Sequence, residues 1–271
     1  MALVLVCAGC SGDARRKEPP ADGDAGAYGV FLGAGAEDIS RLEGYETIVI
    51  DAQNFTPEQI AALKERGRTV YSYLNVGSIE SFRPYYEAFK DCAAADYEHW
   101  DDEKWVDVSA PRWREFITQE LAPAILAKGV DGLFVDNADV YWRLRSEAVF
   151  DALTDILRAL KDMGAYVCIN GGDVYVTEYL DRGGDPRAIA DAVDQESVFS
   201  AIDWDGGSFC ESAEEDRAYF QSYVETAAKH GLDVFLLEYT TDPALIARIS
   251  DYCARNGFRY YAAGDLELSA P

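Results

Sequence analysis

Residues 129–137 read Gly-Val-Asp-Gly-Leu-Phe-Val-Asp-Asn. A glycine suited to the left-handed residue past a helix end is followed by a short apolar strand, Gly132–Asp136, that stops on a carboxylate. The unit recurs along the chain. Further strand candidates are Gly29–Leu32, Thr47–Asp51, Thr69–Asn75, Tyr166–Asn170, Val193–Ser197, Val234–Glu238 and Tyr260–Ala263. Helical patterns lie between them, near 37–43, 57–66, 112–128, 143–162, 173–180, 213–230 and 243–256. Thr56-Pro57-Glu58 combines an N-cap, a first-turn proline and an acid, and Asp242-Pro243 repeats the device. Gly67, Gly164, Gly231 and Gly257 mark helix ends as Gly129 does. Eight strands alternating with helices over residues 28–271 match a single-domain (β/α)8 TIM barrel. The rival, a doubly wound open sheet, lacks its GxGxxG loop after the first strand.

Composition narrows the function. Of 271 residues, 49% are hydrophobic and 27% charged, which excludes a disordered, collagenous or disulfide-scaffold protein. Asp plus Glu number 49 against 24 Lys plus Arg, for a formal charge of −25. That field repels phosphate backbones, so nucleic acid is not an expected partner. It attracts a polycation; the plainer reading is that it keeps the protein soluble.

Residues 2–8 (ALVLVCA) are apolar but far short of the ~18 residues of a membrane span. Ala8-Gly9-Cys10 resembles the end of a bacterial lipobox, in which Cys10 carries lipid. The expected organisation is a signal segment over 1–10, a flexible tether over 11–27, and the barrel over 28–271. An exported monomer at the bacterial surface or periplasm follows, touching membrane only through that anchor; an ordinary disordered tail is the alternative. Cys92, Cys168, Cys210 and Cys253 form no CxxC or Cys/His cluster, so no metal site is expected. Cys168 lies in a strand and reads as a buried apolar residue.

One connection is long. Val76–Val108, after the third strand, shows no clear helix and carries Tyr85, Tyr86, Phe89, Tyr97, Trp100 and Trp105. Such a loop suits a lid or a binding loop whose aromatic faces meet sugar rings; a self-packed satellite core is the alternative.

Strand ends supply chemistry in this fold. Here they read Asp51, Asn75, Asp136-Asn137, Asn170, Glu196 and Glu238-Tyr239, with Asp265 beyond the last. N-capping of the next helix explains Asp173 best, Asp139 in part, and Asp136 and Glu196 least. His99 lies in the irregular loop and His230 ends a helix, so neither pairs with a nucleophile, and no phosphate loop is present. Carboxylate chemistry remains. Asp136 and Glu196 end the fourth and sixth strands, ~10 Å apart in backbone, from which inward side chains converge to glycosidase spacing. A divalent-metal site fits less well, because it wants more acids on adjacent strands.

Several motifs together resemble glycoside hydrolase family 114. They are Tyr73-Leu-Asn-Val-Gly-Ser-Ile-Glu-Ser-Phe-Arg-Pro-Tyr85, Lys104-Trp-Val-Asp-Val108, Gly129-Val-Asp-Gly-Leu-Phe-Val-Asp-Asn-Ala-Asp139, Ile169-Asn-Gly-Gly172, Asp194-Gln-Glu-Ser-Val-Phe199 and Leu237-Glu-Tyr239. The likeness spans roughly residues 28–264. It implies an endo-α-1,4-polygalactosaminidase that cuts partly deacetylated galactosamine polysaccharides of biofilm matrices, without a cofactor. It also implies Asp136 as nucleophile and Glu196 as general acid/base. Asp51, Asn75, Glu80, Arg83, Asn137, Asp139, Asn170, Glu238 and Tyr239 would line the sugar subsites. A cationic galactosamine polymer would give the acidity a purpose. The rival readings are a non-catalytic glycan-binding barrel and a glycosidase of different α-glycan specificity.

Overall fold

The computed structural model describes residues 27–65 and 67–271. The expected signal segment, Cys10 and nearly all of the tether lie outside the described residues. Eight parallel strands form one sheet: β1 Tyr28–Phe31, β2 Thr47–Ile50, β3 Thr69–Asn75, β4 Gly132–Asp136, β5 Tyr166–Asn170, β6 Ala192–Glu196, β7 Asp233–Tyr239 and β8 Arg259–Ala263. They pair in chain order, and β8 returns to lie beside β1. Sequential order is that of a barrel, so the doubly wound rival is excluded. At the β8–β1 seam the Gly33 N–H donates to the Leu268 carbonyl at 3.2 Å, and Tyr261 meets Phe31 edge-on at 5.1 Å.

The helices follow their signals. They are α1 Pro57–Lys64, α2 over 111–126, α3 Glu147–Asp162, α4 Asp173–Asp181, α5 Glu214–Lys229 and α6 Pro243–Asn256. Thr56 and Gln59 form a capping box on α1, and Asp242 accepts from Ala244 to cap α6. The segment expected over 37–43 is a 3₁₀ helix, Ala36–Gly44. The helix expected over 143–162 is divided: a single turn at Val140–Arg143 ends before Ser146, which caps α3 by accepting from the Val149 N–H. Asp173 is not an N-cap. It is the first residue of α4, whose cap position is Gly172 with φ +68°.

Strand alternation divides the apolar residues into two bodies. Val30, Val49, Tyr71, Tyr73, Phe134, Cys168, Ala192, Phe235, Leu237 and Tyr239 fill the barrel interior. Ile48, Ile50, Leu133, Val135, Val167, Ile169 and Leu236 face the helical layer instead. The β3 loop has its own architecture, an antiparallel sheet of Ser78–Glu80, Glu103–Val106 and Ala93–Asp96. Tyr85 and Phe89 pack on Phe116 of α2, and Trp105 stacks on Tyr97 at 4.3 Å, so much of the aromatic content extends the core between barrel and helices instead of forming a separate satellite. Among the described residues the four cysteines are free thiols, with Cys168 buried.

Candidate active site

The interior register that buries Phe134 brings Asp136 to the inner mouth two residues later, and the register of Ala192 and Asp194 does the same for Glu196. Each carboxylate is followed by a non-glycine residue with positive φ, Asn137 at +64° and Ser197 at +58°. Backbone in that region is costly for such residues, and here it turns the chain out of the strand directly after the acid. Gly77 meets the first of these turns: a Cβ there would lie 1.8 Å from the Asn137 carbonyl oxygen.

Asn170, at the end of β5, joins the pair. Its Nδ2 donates to Asp136 Oδ1 at 2.9 Å and to Glu196 Oε1 at 2.7 Å. The two accepting oxygens therefore stand no further apart than those bonds laid end to end, about 5.6 Å. Retaining glycosidases hold their carboxyls ~5–5.5 Å apart and inverting ones ~6.5–9.5 Å. The surroundings of the two acids differ. Asp136 accepts the Asn137 N–H at 2.9 Å, lies 3.4 Å from Asn137 Nδ2, and is within hydrogen-bonding reach of the Tyr73 hydroxyl. Glu196 accepts the Tyr239 hydroxyl at 2.9 Å. Burial pushes both carboxyls above their ordinary range, and the charge of Glu196 adds to the effect on Asp136, which reaches about 7.

The other expected subsite residues divide into two groups. Asn75, Asn137, Asn170 and Tyr239 surround the pair. The rest are held in contacts with other parts of the protein. Asp51, Glu80 and Arg83 are buried in one ion-paired cluster, with Arg83 at 2.6 Å from Asp51 and 3.0 Å from Glu80, which fastens the β3 loop to β2. Glu238 is 0% exposed, because its neighbour Tyr239 holds the inward register and adjacent strand residues face opposite sides. Its carboxylate accepts from the Phe199 and Ser200 N–H groups and the Ser200 hydroxyl, tying down the loop that follows Glu196. Asp139 accepts from the Gly172 N–H at 3.1 Å and so braces the start of α4.

Three mouth residues have no signal in the strand-end pattern. Glu103 accepts from Ser78, from Asn75 at 3.1 Å and from Asn137 at 3.2 Å, and burial pushes its carboxyl up to about 7. Tyr97 donates its hydroxyl to Asn137 Oδ1 at 2.8 Å. Asp194 lies one layer beneath Glu196, accepts from the Tyr28 hydroxyl, and is pushed up to about 8 by burial. Above the mouth, His99 from the β3 loop lies flat on Trp204 at 4.3 Å, with Trp100 edge-on at 6.1 Å. Trp204 is at the tip of the hairpin Ser200–Asp203/Ser208–Glu211, which follows β6.

Comparison with known proteins places this geometry among carbohydrate enzymes. A family model described as "Glycoside-hydrolase family GH114" matches residues 13–265. The glycoside hydrolase domain of PelA from Pseudomonas aeruginosa superposes with a TM-score of 0.73 at 20% identity, over 89% of this chain and 95% of that one. Aspergillus fumigatus Ega3, solved in complex with galactosamine, gives 0.71 at 18% identity, over 95% and 97%. TtGalA, an α-galactosidase from Thermus thermophilus, gives 0.55 at 12% identity, over 92% and 58%. At these identities the likenesses establish the barrel alone. No curated protein matches the sequence.

Proposed function

The chain belongs to glycoside hydrolase family GH114, and on that premise we propose that it is an endo-acting, retaining hydrolase of α-1,4-linked galactosamine/N-acetylgalactosamine exopolysaccharide. Asp136 is the nucleophile and Glu196 the general acid/base. The observation that carries this reading is the single Asn170 nitrogen bonded to both carboxylates, which supports a separation suited to double displacement. Glu196 protonates the leaving oxygen as Asp136 attacks the anomeric carbon. A glycosyl ester forms on Asp136, and Glu196 then takes a proton from the water that hydrolyses it. Asp136 accepts from more protein donors than Glu196, which favours the microstate of the singly protonated pair in which the proton sits on Glu196, although burial and the neighbouring Glu196 charge raise Asp136 as well. The galactosamine bound to Ega3 and the α-galactoside specificity of TtGalA support a galacto-configured substrate.

Reducing-end release from a partly deacetylated α-1,4-galactosamine polymer tests the proposal. Loss of release in both Asp136→Asn and Glu196→Gln, with circular dichroism unchanged, is the expected result. A wild type silent on this polymer but active on neutral α-glycans overturns the substrate and favours the alternative specificity. The residues Ala8-Gly9-Cys10 support export with a lipid on Cys10. Retention of Cys10→Ser in the membrane fraction would contradict it.

A further inference from the structure

Tyr73 is buried in the barrel interior, and its one hydroxyl proton has two carboxylates within reach. It donates to Glu80 Oε1 at 3.2 Å, a long bond, and is within hydrogen-bonding reach of Asp136. A hydroxyl carries a single hydrogen, so it serves one of these acceptors at a time.

Glu80 is built to be the alternative acceptor. Arg83 donates to the same Oε1 at 3.0 Å, spends its other terminal nitrogen on Asp51 at 2.6 Å, and lies 5.7 Å from the centre of the Tyr73 ring. The guanidinium supplies the counter-charge that a buried carboxylate needs. Two carboxylates share it, however, and Glu80 Oε2 is buried without a donor among the described residues. Glu80 is therefore an anion short of donors, joined to the reacting pair through one hydroxyl. The charge on Asp136 changes along a double displacement, from carboxylate to ester and back. Its demand for the Tyr73 hydrogen changes with it.

Resting on the retaining reading above, with Asp136 as nucleophile, we propose that Tyr73 and Glu80 are positioning residues that work as a switch: the Tyr73 hydroxyl turns to Asp136 while that group is charged, and returns to Glu80 while it carries the glycosyl ester. Tyr73 keeps its proton throughout. In ester hydrolysis water adds to the anomeric carbon, Glu196 takes the proton, and the electron pair of the breaking C–O bond returns to Asp136, where the Tyr73 O–H meets it. In ester formation the rotation runs the other way, and Glu80 takes up the hydrogen bond that Asp136 gives up. Tyr73 thus favours departure of Asp136, and Glu80 favours its attack.

The test uses the 2,4-dinitrophenyl α-glycoside of a galactosamine oligomer. Its leaving group makes ester formation fast, so kcat reports ester hydrolysis and kcat/KM reports ester formation. Tyr73→Phe is expected to lower kcat ~10-fold or more and to leave kcat/KM within ~3-fold of wild type, so that KM falls with kcat. Glu80→Gln keeps Oε1 but not the charge, and is expected to show the opposite split, with kcat/KM lowered ~10-fold and kcat within ~3-fold. In the double variant the loss caused by Glu80→Gln should disappear, because no hydroxyl remains to be shared. Equal falls in kcat and kcat/KM, as a loosened fold gives, or no change in either, overturn the proposal. So does a Glu80→Gln effect that persists undiminished without the Tyr73 hydroxyl. A wild type that releases dinitrophenolate without an initial burst, or not at all, overturns the retaining galactosamine reading instead, and does so before any variant is compared.

Discussion

Asp136 and Glu196, at the ends of strands separated by β5, accept hydrogen bonds from one and the same nitrogen, Asn170 Nδ2. This amide bridges the two acids and fixes how far apart they stand. Its Oδ1 is buried without a protein partner, so the side chain is committed to donation. Asn170→Ala is expected to lower kcat by ~10²–10³, the effect of removing one preorganised donor from a site of developing charge. Steady-state kinetics on the polymer checks this. A kcat within threefold of wild type would place Asn170 outside the machinery.

The protonation state of the pair sets the pH profile. With Asp136 raised to about 7 and Glu196 also raised, the dyad carries one shared proton near neutrality. That singly protonated form is the active one, with one acid to donate and one carboxylate to attack. The profile of kcat/KM is expected to be bell-shaped, its alkaline limb falling near pH 7 as the last proton leaves. A rate still rising at pH 8.5 contradicts this.

The division of labour has a stereochemical signature. On an α-glycoside with an activated aryl leaving group, azide added to Asp136→Ala attacks directly and gives the β-glycosyl azide. Added to Glu196→Ala, it intercepts the glycosyl ester and gives the α-azide. Proton NMR of the product distinguishes the two. Exchange of these products between the variants would exchange the roles.

Asp194 is buried at 0% exposure, with its carboxyl pushed up to about 8 against an ordinary value of 3.8. Its folded pKa is above the unfolded one, so the native state binds the extra proton, and stability is fully present below pH ~4 and lost as pH rises towards 8. Asp139, Glu103 and Glu238, each raised to about 7, act in the same direction. The thermal midpoint is expected to fall steadily between pH 4.5 and 8. Asp194→Asn keeps an acceptor for Tyr28 and should gain ~2 kcal/mol at pH 8 while changing little at pH 4. Urea unfolding at the two pH values measures the difference; equal effects at both would contradict it.

Glu238 makes a further point about position. It anchors Phe199 and Ser200, three and four residues beyond Glu196, from the side of β7 that faces away from the mouth. In Glu238→Gln one oxygen becomes a donor aimed at backbone N–H groups. The expected cost is ~2 kcal/mol of stability, together with a lower kcat as Glu196 loosens. Chemical unfolding and kinetics read the two effects separately.

Strand periodicity explains why the sequence places Asp136 and Glu196 at the inner mouth, as the structure does, and why it leaves the facing direction of Glu238 open. Parallel strands buried on both faces appear as short apolar runs, and the residue at which the run stops marks the rim of the mouth. Thr69–Asn75, Gly132–Asp136 and Tyr166–Asn170 accordingly have the same bounds in sequence pattern and in structure. The rim residue still needs a facing direction. Glu238 and Tyr239 cannot both face inward, and the inward Phe235 and Leu237 decide for Tyr239. Glu103 and Tyr97 had no such guide. They reach the site through an antiparallel sheet that pairs Ser78 with Trp105, and long-range pairing within a loop leaves no local period in the sequence.

Trp204 and His99 belong to loops that rise after β6 and β3, and these two strands flank β4 and β5. A contact between the loop tips therefore passes over the strand ends that carry Asp136 and Asn170. Tyr97, two residues before His99, touches Asn137 and fixes the near end of that path. A polymer reaching the dyad is expected to run along this aromatic bridge, whose exposed ring surface suits the C–H face of a sugar. Trp204→Ala removes the stack on His99 and is expected to raise KM five- to twentyfold for long chains, in keeping with ~1–2 kcal/mol for an aromatic contact. Short activated substrates that occupy only the dyad should keep their kcat. The ratio of KM values for long and short substrates reads the effect, and a ratio unmoved by the substitution would mean that the bridge carries no part of the chain.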